Sequence, residues 1–177
     1  MFRKLSLAAA VFMLVLTAGF ADAQTSVTTT VTVNVPEVLR LEVSGSADFV
    51  LDPTSFDGGA TSVVVDASTT PTVSVTANRN WQLSVQADAA NWSYSGAHAA
   101  QSPTKDAADL AVGLTGPGSW AIAHGVASKW ALGTSSEPLA TGGRGRTSGA
   151  IAYSLTHNLA DWPGDYSLSV TYTLAGN

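Results

Sequence analysis

The residues of this 177-residue chain whose types and spacing could support chemistry are few. Two stretches set carboxylates in Gly-containing loops, the kind of oxygen ligand that Ca²⁺ takes: Asp52-Pro-Thr-Ser-Phe-Asp57-Gly58-Gly59 and Asp161-Trp-Pro-Gly-Asp165. Neither has the spacing of an EF-hand loop, and Asp and Gly are equally the residues of ordinary turns, so no metal is assigned. The three histidines, His98, His124 and His157, have no second His at ligand spacing, and the chain has no cysteine, so zinc has no signature either. Serine is plentiful, but no G-x-S-x-G signals a strained nucleophile turn. Gly142-Gly143-Arg144-Gly145-Arg146 lacks the GK[ST] ending of a phosphate loop and a helix pattern after it, and is expected to be a mobile loop. No catalytic residue and no cofactor is assigned, and no enzymatic activity is expected.

Aromatic side chains offer the remaining chemistry. Of the five tryptophans, Trp92 stands two residues before Tyr94 in "NWSY", so on a strand the two would share a face. Exposed, such a pair could stack on a sugar ring or a partner surface; buried, it would be a cross-strand packing pair.

The elements that position these residues are strands. Apolar residues recur with period two throughout, and no 3.6-residue stripe competes with them. Val27, Val31, Val33 and Val35 alternate with Thr28, Thr30, Thr32 and Asn34, which predicts a strand over 26–35 that Pro36 ends. Further strands are expected over 38–43, 48–51, 62–66, 72–77, 81–87, 110–114, 150–155 and 166–174, with loop-like sequence over 96–106 and 133–149. In the last of these strands Tyr166, Leu168, Val170, Tyr172 and Leu174 alternate with hydroxyl residues without an error in phase. Asp57-Gly58-Gly59, Asn78-Arg79-Asn80, Gly116-Pro117-Gly118 and Trp162-Pro163-Gly164-Asp165 supply turns. The pattern predicts an all-β fold: a single antiparallel β-sandwich, Ig-like or Greek-key in type, with about eight to ten strands.

Residues 1–23 have the form of a cleaved signal peptide, with Arg3 and Lys4 ahead of an apolar stretch and Ala21-Asp22-Ala23 as the cleavage site. The sandwich is expected over residues 24–177, with no membrane span once the signal is gone. Two cations and one carboxylate leave with the signal, which takes the formal charge from −5 to −6. An acidic, sparsely charged surface argues against nucleic acid as a partner. Without cysteine, an exported domain must be held by its core rather than by disulfides.

Three segments together carry a resemblance. "NRNWQLSVQA" sets a Trp81-x-Leu83 motif after a turn, "PGDYSLSVTYTL" brings Tyr172-x-Leu174 near the end of a terminal strand, and "LEVSGSADFVLDP" fits an early strand pair. This arrangement resembles WxL-type secreted surface domains of bacteria, with Tyr172 where that family carries Trp. More loosely, it resembles spore-coat-U-like and fimbrial β-sandwich proteins, whose terminal strand often opens as Gly164-Asp165-Tyr166 does. The resemblance implies a structural or adhesive protein, secreted to the periplasm, the cell surface or beyond, with Trp81, Leu83, Tyr172 and Leu174 as motif positions. Its partners would be a cell-envelope polymer or other surface proteins. Self-assembly through strand 26–35 and a carbohydrate-binding module using Trp92 and Tyr94 are the specific alternatives.

Overall fold

In a computed structural model, residues 28–177 are described, and the signal-like segment 1–23 lies outside them. Residues 28–35 belong to one unit and 36–177 to another. Within 28–35 the expected strand is not formed: no ladder includes these residues, and Val31, Val33 and Val35 are 80%, 75% and 72% exposed. Alternation creates a face to bury, but a strand exists only where a neighbour supplies its hydrogen bonds.

The unit 36–177 is all-β and antiparallel throughout. Its strands are β1 (Leu39–Ser44), β2 (Ser62–Asp66), β3 (Thr72–Ala77), β4 (Trp81–Ala87), β5 (Ser93–Ser95), β6 (Leu110–Thr115), β7 (Ala121–Ile122), β8 (Trp130–Ala131), β9 (Glu137–Gly142), β10 (Gly145–Asn158), β11 (Asp165–Ser167) and β12 (Val170–Gly176). One sheet runs β1-β3-β10-β6-β8, with β2 beside the second half of β10; the other runs β12-β4-β9-β7; β5 and β11 form a small separate ladder. The two larger sheets pack face to face as a sandwich. Twelve strands exceed the expected number because four of them have only two or three residues.

Alternation decides which side chains enter the core. Val73, Val75 and Ala77 of β3, Trp81, Leu83, Val85 and Ala87 of β4, and Leu110, Val112 and Leu114 of β6 all point between the sheets and are buried. Ten such side chains at roughly 1–3 kcal/mol each hold the layers together without a disulfide.

Two of the places where the chain changes layer are short corners. Asn78-Arg79-Asn80 carries it from β3 to β4, and Gly143-Arg144 from β9 to β10. The second corner corrects the loop expected over 133–149, which is largely strand. Gly142 is required there: a Cβ would sit 2.2 Å from the Trp81 ring. Trp81 Nε1 donates to the Gly143 carbonyl at 2.9 Å, and its ring meets Trp120 edge to face at 5.1 Å.

Two further expectations are corrected. Residues 48–51 form no strand; Asp48 instead ties its loop to the 68–69 turn, with its amide donating to Thr69 Oγ1 and its carbonyl accepting from the Ser68 amide. The terminal strand is broken at Leu168-Ser169 into β11 and β12, which serve different ladders. Its alternation survives the break, and the hydroxyls face solvent all along it.

Candidate functional site: an open groove beside the terminal strand

The four motif positions come together on two paired strands. Leu83 of β4 stands opposite Leu174 of β12, Val85 opposite Tyr172, and Trp81 opposite Gly176. Trp81 and Leu83 are fully buried, whereas Tyr172 and Leu174 are half-buried. All four build the interior side of the sandwich rather than its outer surface.

The difference in burial marks a groove. β12 is an edge strand whose ladder lies on β4, and β1 is the corresponding edge of the opposite sheet, close to it. Beside them opens a cavity of about 1170 Å³ whose walls include Val43, Phe49, Leu110, Leu168, Val170 and Tyr172. The segment 159–168, which includes β11, forms one lip, carrying Trp162, Pro163 and Tyr166. The lip is pinned by Tyr94 Oη, which donates to the Pro163 carbonyl at 2.7 Å, and by the edge-to-face pair of Tyr94 with Tyr166 at 5.1 Å.

Two polar features line this apolar space. The hydroxyls of Tyr153 on β10 and Tyr172 on β12 meet in a short hydrogen bond that links the two layers. Burial pushes both phenols up from their ordinary values, and for Tyr172 the neighbouring Tyr153 adds to the effect.

The second feature is Lys105, a charged residue that is buried. Its Nζ donates to Asp161 Oδ2 at 2.7 Å, to the Thr156 carbonyl at 2.7 Å and to Asp109 Oδ2 at 3.2 Å. Asp161 Oδ2 also accepts from the Asn158 amide at 3.0 Å and lies 3.2 Å from His157 Nδ1. Burial alone would raise the Asp161 carboxyl, but the Lys105 ammonium and these other donors together hold it below the usual carboxylate range. Sequence gives no sign of this cluster, because Lys105 and its partners Thr156 and Asp161 are 51 and 56 residues apart.

The other sequence candidates have structural partners. Trp92 immediately precedes β5, packs against the core and donates from Nε1 to the Asp106 carbonyl at 3.0 Å. With Tyr94 held by Pro163, neither ring of the "NWSY" pair is freely exposed. The exposed aromatic at the groove is Trp162, 42% exposed and 4.7 Å from the His98 ring. Asp52 caps a 3₁₀ turn by accepting from the Thr54 amide at 2.9 Å, and Asp161 is taken up by Lys105, so the first Asp of each Asp-rich stretch has a structural partner. Among the described residues no three His, Cys, Asp or Glu side chains come together as a metal site, and no helix is long and apolar enough to cross a membrane.

No protein-family model matches this chain, and no curated protein matches it significantly.

Proposed function

We propose that this protein is a secreted, non-enzymatic structural or adhesive subunit of the bacterial cell surface, and that copies join through the segment 24–35. One observation carries this reading: an alternating Val/Thr segment lies outside every ladder with its valines exposed, while the sandwich keeps an open apolar groove beside an edge strand. Segment 28–35 carries no charge, and Val31, Val33 and Val35 fall on one face of an extended chain. Added to the edge of β12 in a neighbouring copy, it would gain the backbone partners it lacks and lay its valines into the groove. This is recognition by strand addition. Burying three valines at roughly 1.5–3 kcal/mol each offsets much of the cost of ordering the segment and joining two molecules.

The absence of native cysteine makes a direct test possible. A copy carrying Val33→Cys is mixed under oxidising conditions with copies carrying Leu168→Cys, Val170→Cys or, as a control on the far edge of the same sheet, Ala121→Cys. Strand addition predicts intermolecular disulfides to Leu168→Cys or Val170→Cys and none to Ala121→Cys. Equal cross-linking to all three, or none to any, contradicts it.

A carbohydrate- or cell-wall-binding module is the second reading, and the exposure of Trp162 beside His98 on the groove lip favours it. A saturable change in tryptophan fluorescence on titration with envelope polysaccharide, lost in Trp162→Ala, would support this module; a flat response counts against it.

A further inference from the structure

We propose that Lys105 and Asp161 are joined by an amide cross-link that the folded chain forms by itself. Both side chains are almost fully buried, at 3% and 9% exposure, with Nζ 2.7 Å from Asp161 Oδ2. Desolvation opposes both charges here and is offset only by the hydrogen bonds around them, and condensation to a neutral amide removes both charges from the interior. The fold also supplies the proximity that a condensation in solution lacks.

The surroundings fit the reaction. In it, the Nζ–Cγ bond forms and the Cγ–Oδ2 bond breaks; Nζ gives up two protons, which leave with Oδ2 as one water molecule. The electron pair of the broken bond goes with the oxygen, so no oxidant or reductant takes part. The donors around Asp161 converge on Oδ2, the departing oxygen: the Asn158 amide at 3.0 Å and, when its Nδ1 carries a proton, His157 at 3.2 Å. They stabilise charge on that oxygen as its bond to Cγ lengthens. Asp109 Oδ2, 3.2 Å from Nζ, is placed to accept a proton from the ammonium and so free the amine for attack. The ion pair and its neutral amine–acid form hold the same number of protons, so the step needs no external acid. The groove lined by Lys105 and Asp161 gives the product water a way out.

A bond here would join the approach to β6 with the groove lip, two places 56 residues apart, in a chain that has no cysteine to do so. Protease mapping of the full chain after denaturation tests it. The expected result is a branched peptide containing Lys105 and Asp161, lighter by one water than the sum of its two linear parts, and no cleavage after Lys105. In Asp161→Ala the linear peptides should return. In Asp109→Asn, with an unchanged circular dichroism spectrum, the branched peptide should be lost or form many-fold more slowly. Linear Lys105 and Asp161 peptides at their sequence masses from the folded wild-type chain would overturn the proposal. A branched peptide forming equally fast in Asp109→Asn would overturn the role of Asp109.

Discussion

β4 and β12 lie side by side, pair residue for residue over seven positions, and show the same alternation of apolar and polar side chains, yet they do different work. On β4 the inward residues Trp81, Leu83, Val85 and Ala87 are closed over by the opposite sheet. On β12 the inward residues Val170, Tyr172 and Leu174 stay half-buried, because this strand is an edge and its side of the sandwich opens into the groove. Sequence periodicity reports which way a side chain points; what covers it depends on the neighbour beyond. The sandwich is closed along one strand and open along the next.

Truncation separates the two strands most strongly. Leu83→Ala should cost about 2–5 kcal/mol in chemical denaturation, as for a closed core position. Leu174→Ala, its direct cross-strand neighbour, should cost roughly 1 kcal/mol in the monomer, because part of its surface is already in water. Equal losses would erase the distinction drawn here.

Filling the groove should change the open strand selectively. A synthetic peptide of residues 24–35, added to a chain lacking them, should raise thermal stability by about 3 kcal/mol at a hundredfold excess over its dissociation constant. The gain should shrink in Val170→Asp. A peptide in which Val31, Val33 and Val35 are all Ser should give no gain.

The Tyr153–Tyr172 bond makes the open side sensitive to alkali. Both phenols have folded-state values raised above the unfolded value of roughly 10, so the folded state keeps protons that the unfolded state releases. Their contribution is therefore complete below about pH 10 and declines as pH rises beyond it. Tyr172→Phe should lose about 1 kcal/mol at neutral pH and show a shallower alkaline decline in melting temperature. Parallel pH profiles for wild type and variant would contradict this. The smallest effect is expected at the lip, where Trp162→Ala should cost less than about 1 kcal/mol because its ring, 42% exposed, is only partly covered by the His98 ring and the lip.

Much of the scaffold was legible in the sequence because alternation is a local property. The spans 62–66 and 72–77 coincide with β2 and β3, and 81–87 with β4. The inward phase of Tyr166 to Leu174 holds even where the strand breaks. The misses have non-local causes. Residues 28–35 alternate as well as any strand but have no ladder, and 145–149 looked like a loop until β3 supplied a neighbour for them. The groove depends on two edge strands that are distant in sequence, and the Lys105 cluster on partners as many as 56 residues away. Trp92 and Tyr94 were recognisable as an aromatic pair, but their hydrogen bonds to Asp106 and Pro163 follow only from the fold.

The most direct test of the central claim is the mass of two chains, residues 24–177 and residues 36–177, measured by light scattering over a range of concentrations. Circular dichroism of both and electron microscopy of the longer one complete the comparison. Strand donation predicts filaments or a ladder of oligomers for the longer chain, and for the shorter a folded species of one mass at every concentration. The same state of association in both chains, or loss of the fold when residues 24–35 are removed, would contradict it.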